Sequence, residues 1–317
     1  MSSRKSDRTL VGENQVVLLN PTTCGIYKKG DVRYKTDPAT GRRTDVIDND
    51  MAEHVEAFLR GTMPPGGVLL DRELVEKKRV LVPRYFDHRW DEPFVQLCKR
   101  MKWKAISIGD LEDAGVIKVR GGHGSPSNDA RSGHIPYVKV SDIRSLRVNT
   151  NPTNLVSEVV AQRYWRGPKS GLNAWDLITP NRASSNIGEF AFILPGGEDV
   201  VLTKEVFVIR VMKGQDKGWD PFYLLWALCL KAVRNQWQRV ALMQTNREDV
   251  SRRYREIMVP VPPSRDEALV LSKAFRDYFT TLAAARTQFV DALNSTPLEY
   301  IASATALVPV PEDEVEE

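Results

Sequence analysis

The most regular hydrophobic pattern lies near the end of the chain, where apolar residues recur at alternating steps of three and four. It follows Pro262-Pro263 and the sequence Ser264-Arg265-Asp266-Glu267, which is typical of a capped helix start. The pattern predicts one long helix over residues 264–296, which either packs on its own domain or pairs with a second helix. The expected pairing residues are Leu271, Phe275, Tyr278, Leu282 and Phe289.

Between residues 93 and 263 the pattern changes to short apolar runs separated by Gly, Pro, Asn and Ser. A short helix is predicted at 93–101. The later runs predict strands at 105–108, 116–119, 137–140, 155–160, 190–193 and 206–211. Asp220-Pro221 then predicts the start of a buried helix over 222–240, because Asp accepts bonds from free amides and Pro suits the first helical position. The expected fold is α+β: an irregular β-rich domain with a buried helix, followed by a long coiled-coil-like helix.

The first 92 residues predict a small mixed α/β region. Strands are expected at 16–19 and 80–82, a charged loop at 34–45, and a helix from Asp48 to Gly61. The predicted divisions of the chain are an N-terminal region at 1–92, a β-rich domain at 93–263, the helix at 264–296 and an acidic tail at 297–317.

Composition and charge narrow the class of protein. The 317 residues are 42% hydrophobic and 27% charged, which suits a globular protein of about two domains. The net charge is +4 although five of the last six residues are acidic, so the rest of the chain is basic enough to suit DNA. Three distant cysteines give no disulfide or zinc pattern, and no export sequence or membrane span is visible. A cytoplasmic protein without membrane contact is expected.

The usual catalytic motifs of nucleic-acid enzymes are missing from the sequence. Residues 20–23 and 151–154 share only Asn-Pro with the aromatic-ended loop that adenine methyltransferases use to hold a flipped base. A nuclease would need carboxylates and a lysine at one cation, and Glu76 and Lys78, with Asp71 or Asp50 upstream, are the arrangement that fits. Because Glu-x-Lys is common on surface helices, we expect a non-catalytic chain with no metal and no cofactor of its own.

A glycine-rich segment carries the best candidate for binding chemistry. Residues 118–128 combine cations, small hydroxyls and glycines, and they precede Ile-Pro-Tyr-Val-Lys-Val-Ser-Asp at 135–142. Such a segment is either a flexible solvent loop or a DNA contact, in which the backbone approaches phosphates and short side chains reach base edges.

Five segments together resemble the target recognition domain of specificity subunits from type I restriction–modification systems. They are the glycine-rich loop with residues 135–142, Ile-Gly-Glu-Phe-Ala at 187–191, Asp-Pro-Phe-Tyr-Leu at 220–224, Pro-Val-Pro-Pro at 260–263, and the final helix. His123 and Gly124 stand where that family has Thr. The first 92 residues faintly resemble the C-terminal part of N6-adenine DNA methylases, although an unrelated docking domain fits as well.

The resemblance implies a sequence-specific subunit of a restriction–modification or related phage-defence system, binding double-stranded DNA. Its expected partners are an N6-adenine methyltransferase, which would hold S-adenosylmethionine, a restriction or motor subunit, and a second copy paired through helix 264–296. A metal-dependent nuclease and a scaffold that ignores DNA sequence are the alternatives. The candidate DNA-binding residues are Lys118, Arg120, Gly122, His123, Ser125, Asn128, Lys139, Ser141, Arg182, Ser184, Asn186, Gln244, Asn246 and Arg247.

Overall fold

The structure, a computed structural model, describes residues 15–27, 29–151, 153–182, 186–212, 218–244 and 247–298. For residues 15, 243, 244 and 247–249 it describes the backbone only. Contacts divide the chain into two compact units, residues 1–93 and 94–317. The roles assigned to the four divisions of the sequence stay predictions.

The described residues of the first unit form two antiparallel strand pairs and three α-helices. In chain order these are β1 (Gln15–Leu18), β2 (Tyr34–Thr36), β3 (Arg43–Ile47), α1 (Met51–Leu59), β4 (Val68–Asp71), α2 (Arg72–Lys78) and α3 (Pro83–Phe86). Strand β1 pairs with β4, and β2 pairs with β3. The start of α1 is tied down by Asp50, whose carboxylate accepts hydrogen bonds from the backbone amides of Thr22 and Thr23.

Two expectations for this unit are wrong. Residues 80–82 form no strand, because Pro83 suits the first position of a helix and begins α3. The strand that pairs with β1 is instead β4, where Leu70 is fully buried. The charged segment 34–45 is largely a hairpin, not a loop, and its turn is closed by the amide of Gly41 bonding to the carbonyl of Asp37.

From residue 92 onward the chain alternates short strands with helices. The elements are α4 (Glu92–Met101), β5 (Ala105–Ser107), α5 (Ile108–Asp113), β6 (Ile117–Gly121), β7 (Ile135–Val138), β8 (Ile143–Arg144), β9 (Arg147–Val148), β10 (Leu155–Val156), α6 (Glu158–Trp165), β11 (Leu177–Pro180), β12 (Ala191–Phe192), β13 (Val201–Leu202), β14 (Val206–Val211), α7 (Pro221–Cys229), α8 (Lys231–Val240), β15 (Leu242–Gln244), β16 (Arg247–Asp249), β17 (Met258–Pro260) and α9 (Arg265–Asn294). This is the mixed α and β fold with a long C-terminal helix that the sequence predicts.

The central sheet has the antiparallel order β12-β11-β14-β6. Because side chains alternate along a strand, its two faces enter two different cores. Leu177 and Ile209 pack with the helices α7 and α8, which contribute the fully buried Tyr223 and Trp237. Ile178 packs on the other side, together with residues of the three-stranded sheet β10-β7-β13.

Local signals explain most of the helix boundaries. Asp220 accepts hydrogen bonds from the amides of Phe222 (2.8 Å) and Tyr223 (3.1 Å), so α7 begins as predicted. The expected single helix over 222–240 is broken at Leu230, whose ψ of 127° is not helical, so α7 and α8 are separate. The strand predicted at 155–160 ends at Val156, because the Ser157 hydroxyl caps α6 by accepting from the amide of Val160.

Helix α9 is 30 residues long, about 45 Å. Its start is as predicted, since the Ser264 hydroxyl accepts from the amide of Glu267 at 3.2 Å. The buried residues of α9 are Ala268, Ser272, Phe279 and Ala283, and the helix packs on α7. Beyond Ala283 the side chains are exposed up to residue 294, except for a half-buried Leu293. None of the described helices combines the length and apolar character needed to cross a membrane.

Candidate nucleic-acid interface

One end of the central sheet gathers segments that are far apart in sequence. Strands β6 and β11 end there and β14 begins there, since Gly121 pairs with Phe207 and Pro180 pairs with Val206. The amide of Gly122 donates to the carbonyl of Val206 at 2.8 Å. The loop after β6, the segment after β11 and the turn before β14 therefore meet at one place.

The hairpin of β15 and β16 joins the same end of the sheet. The amide of Val250, directly after β16, donates to the carbonyl of Asn181 at 2.8 Å. Asn181, Gly121 and Arg252 line one surface depression. The loop at 121–128 thus has residues around 182 and 244–252 as neighbours. The sequence predicts DNA contacts in these segments separately.

Lys139 reaches this region from the second sheet. Strands β7 and β13 run parallel, and the amide of Thr203 donates to the carbonyl of Val138 at 2.9 Å, so Lys139 follows β7 beside the turn at 203–205. We call residues 121–128, 139, 181–182, 203–205 and 252 the sheet-end surface. It is formed by loops at the ends of two sheets, an arrangement in which binding residues are commonly found.

The glycines of the loop serve close packing. A Cβ atom on Gly122 would lie 2.0 Å from the backbone oxygen of Thr203, and one on Gly124 would lie 2.4 Å from the ring of Tyr164. These glycines let the loop press against the β13–β14 turn and against α6. The loop therefore has a defined path across the protein surface.

His123 helps to fix that path. Its Nδ1 accepts a hydrogen bond from the amide of Leu202 at 3.0 Å, so Nε2 carries the proton and donates to the carbonyl of Ser170 at 2.9 Å. Burial lowers the pKa of His123 to about 4, so the ring is neutral at physiological pH. Both ring nitrogens are engaged inside the protein, and a base contact by His123 would require these bonds to break.

Asn186 and Ser141 also make internal contacts. The Asn186 amide donates to the carbonyls of Val140 (3.1 Å) and Ile143 (3.0 Å), and Asn186 is 6% exposed. The Ser141 hydroxyl donates to the buried carboxylate of Asp142 at 3.1 Å. Asn186 thus has a structural role, and it faces the protein interior instead of the solvent.

Arg120 and Lys118 lie on one face of β6. The Nη2 atom of Arg120 is buried and has no hydrogen-bond partner in the described part of the chain. Nearby, Arg210 bonds the buried carboxylate of Asp176 through two nitrogens, at 2.7 and 2.6 Å. Burial lowers the pKa of Arg120, and the charge of Asp176 offsets this in part. Arg120 is therefore a half-buried cation with unused donor capacity, while Lys118 is exposed.

Of the remaining candidate DNA-binding residues, some are described in full, some by their backbone alone and some not at all. Arg182 pairs with Glu205, the Ser125 hydroxyl contacts that of Thr203 at 3.2 Å, and Asn128 is exposed. Ser184 and Asn246 lie outside the described residues. Gln244 and Arg247, described by backbone alone, pair with each other at the ends of β15 and β16.

Lys204 lies at the same surface but is not among the residues that the sequence predicts there. It is exposed at the tip of the β13–β14 turn, and its carbonyl accepts a hydrogen bond from the Asn181 side chain at 3.2 Å. The signal was present, because Thr-Lys-Glu separates two apolar strand runs, Val200–Leu202 and Val206–Val211, as a hairpin-like turn would.

The predicted pairing residues of α9 divide into two groups. Leu271 and Phe275 are half-buried and pack against the core of their own unit, and the pairing role expected of them stays a prediction. Tyr278 is 45% exposed and accepts hydrogen bonds from Arg147. Leu282 lines a groove beside the helix, and Phe289 is 58% exposed. The part of α9 up to Ala283 packs on its own unit, and the side chains from 284 to 294 are exposed except for the half-buried Leu293.

The residues considered for a nuclease have separate partners. Glu76 pairs with Arg72 at 2.7 Å, Asp71 caps α2, and Lys78 lies 5.9 Å from the ring centre of Tyr85. In the described ranges, no cluster of three or more His, Cys, Asp or Glu side chains could hold a metal ion.

No family model and no curated protein matches this sequence. Among solved structures, the HsdS subunit from Thermoanaerobacter tengcongensis is similar at 13% identity, with 78% of this chain and 59% of that chain covered and a TM-score of 0.36. The type I restriction–modification S subunit from M. genitalium is similar at 13% identity, with 69% and 54% covered and a TM-score of 0.35.

A third similar chain comes from a structure on complex assembly and conformational transition of the type I restriction–modification system. It has 12% identity, with 72% of this chain and 58% of that chain covered and a TM-score of 0.35. The present chain thus spans a little more than half the length of these three chains. Two of the three structures, the S subunit from M. genitalium and the structure on complex assembly, concern type I restriction–modification systems.

Proposed function

We propose that this chain is the DNA-sequence specificity subunit of a restriction–modification or related phage-defence system. One observation carries the proposal: segments 121–128, 139, 181–182 and 203–205 meet, with the β15–β16 hairpin, at one end of a sheet. The surface combines cations with amides and hydroxyls. These groups suit phosphate contacts and hydrogen bonds to base edges, respectively.

Within this surface the side chains divide by chemistry. Ser125, Asn128 and Arg182 carry donors and acceptors that can discriminate bases, at about 1–3 kcal/mol for a good bidentate pair. The half-buried Lys139 and the exposed Lys204 and Arg252 suit phosphates, which position the duplex without reading it. Arg120, beside the surface on β6, is half-buried and its unpaired Nη2 is enclosed in the protein, so we assign it no contact with DNA.

The subunit would itself perform no chemistry. It would direct a separate N6-adenine methyltransferase, which binds S-adenosylmethionine, and, in a system that also cleaves, a restriction or motor subunit. The first unit would dock to such a partner. One recognition domain reads one half-site, so a two-part target calls for two copies, paired through the distal end of α9 where Phe289 is 58% and Val290 41% exposed.

Co-expression with the neighbouring methyltransferase, followed by genome-wide mapping of methylated adenines, tests the proposal. A defined motif that disappears when this chain is omitted supports it, whereas unchanged methylation refutes it. The double variant Lys204→Ala/Arg252→Ala should reduce methylation of the motif. The control Lys99→Ala/Lys231→Ala, which removes two exposed cations from α4 and α8, should leave it intact.

A further inference from the structure

A second basic surface lies beside the loop at 121–128, at the C-terminal end of α6. Residues 159–171 contain Arg163, Arg166 and Lys169 and no acidic residue. All three cations are exposed, and within the described ranges none of them forms an ion pair. The carboxylate of Glu158, at the start of α6, bonds to Gln162 instead. We call Arg163, Arg166 and Lys169 the α6 track.

The α6 track is held firmly against the loop at 121–128. The ring of Tyr164 lies against Gly124, so closely that a Cβ atom there would be 2.4 Å from it. The indole of Trp165 donates to the carbonyl of Val200 at 3.0 Å, and the His123 ring donates to the carbonyl of Ser170 at 2.9 Å. Because contacts lie on both sides of Arg166, the track and the loop have a fixed relative position.

We propose that the α6 track binds the sugar–phosphate backbone of the DNA next to the bases read at the sheet-end surface. The proposal rests on the proposed function and adds the element that sets the position of the duplex. Arg163 lies in the last turn of α6 and Arg166 is the left-handed residue that ends it, so both cations lie at the same end of the helix. A cluster of cations with no acidic neighbour attracts phosphates and gains from counterion release, whatever the base sequence.

A different explanation is available for the same charges. Cations near a helix C-terminus stabilise the helix by interacting with its dipole, typically by about 0.3–1 kcal/mol each. That role predicts a lower melting temperature after neutralisation and unchanged DNA binding. Phosphate binding predicts weaker DNA binding after neutralisation and an unchanged melting temperature.

The test uses the full chain with the triple variant Arg163→Gln/Arg166→Gln/Lys169→Gln. Fluorescence anisotropy measures binding to a duplex with the methylated motif and to a scrambled duplex of equal length, at low and at moderate salt. The matched control, Lys99→Gln/Arg100→Gln/Lys231→Gln, removes the same charge from exposed positions on α4 and α8. Lys169→Gln alone, which lies outside the helix, serves if the triple variant is poorly folded.

We expect the track variant to weaken binding to both duplexes by a similar factor. The slope of log K against log salt should become shallower by up to about 0.9 for each phosphate that the variant no longer binds. An unchanged slope, a weakening confined to the motif duplex, or an equal effect of the control variant would overturn the proposal. If the unaltered chain binds both duplexes equally and the track variant still makes the salt slope shallower, the proposed specificity function is refuted. The proposal that the α6 track binds phosphates is then supported. If the unaltered chain binds neither duplex, both fail.

Discussion

Arg276 of α9 donates a hydrogen bond, 2.6 Å long, to the carboxylate of Asp220, the residue that caps α7. The other oxygen of that carboxylate accepts from the amides at the start of α7. The Arg276 guanidinium also lies 4.6 Å from the ring centre of Phe222. This ion pair thus joins the long helix α9 to the largely buried helix α7.

Replacement of Arg276 by Ala should therefore destabilise the protein without affecting the sheet-end surface. The variant lacks both the charge-assisted hydrogen bond and the packing on Phe222, so we expect the free energy of unfolding in urea to fall by about 1–2 kcal/mol. Lys273→Ala is the control, because its pair with Asp277 is an exposed i,i+4 contact worth under about 0.5 kcal/mol. Equal stability of the two variants would contradict the role given to Arg276.

Two neighbouring glycines should respond differently to the same small change. Gly122→Ala places a Cβ atom 2.0 Å from the backbone oxygen of Thr203, whereas a Cβ on Gly121 meets nothing within 4 Å. We expect Gly122→Ala to displace the loop and to lower the free energy of unfolding by about 1–3 kcal/mol. It should also weaken binding to the duplex that carries the methylated motif. Gly121→Ala should do neither. Denaturant unfolding and anisotropy measure the two effects, and similar behaviour of both variants would show that the loop is not closely packed.

Stability should depend on pH through His123. Its pKa is about 4 in the folded protein and about 6.5 when unfolded, so between these values the unfolded chain binds the extra proton. His123 therefore leaves the free energy of unfolding unaffected above about pH 6.5. As the pH falls from there towards 4, it lowers that free energy with a slope approaching about 1.4 kcal/mol per pH unit. We expect urea unfolding at a series of pH values between these two pKa values to show that the free energy of unfolding depends less on pH in His123→Gln than in the unaltered protein. The exposed His134, changed to Gln, is the control.

The distal part of α9 should control self-association. Phe289→Glu introduces charge where the ring is 58% exposed, so the monomer should fold normally and assemble less. Val270→Glu, at a position 74% exposed near the start of the same helix, should change neither property. Sedimentation or light scattering gives the mass in solution. If Phe289→Glu leaves that mass unchanged, the pairing surface is elsewhere.

Sequence patterns predict the elements whose signals are local. Strand β14 has the predicted bounds, and α7 begins at the predicted cap, because alternation and capping depend on a few adjacent residues. The start of α6, Glu-Val-Val, is rich in β-branched residues and so favours a strand, but the single hydroxyl of Ser157 decides against that preference. Contacts between residues that are distant in the chain, by contrast, produce no recognisable pattern in the sequence.

The long helix illustrates the limit of periodicity. The heptad pattern counts Tyr278 and Leu282, but the residues that are buried are their neighbours Phe279 and Ala283. Spacing alone cannot indicate that α9 lies on its own unit along a slightly rotated stripe. For the same reason the sequence identifies the segments of the candidate site but not the internal bonds of His123 and Asn186.

The close packing of the loop at 121–128 separates positions that can vary from positions that cannot. Gly122 and Gly124 have no room for a side chain, and His123 is bonded on both sides. Ser125, Asn128 and Lys204 face the solvent from the same frame. Under the proposed function, a lineage of such proteins acquires a new target by substitutions at the outward positions alone, while the folded frame and its stability are inherited unchanged.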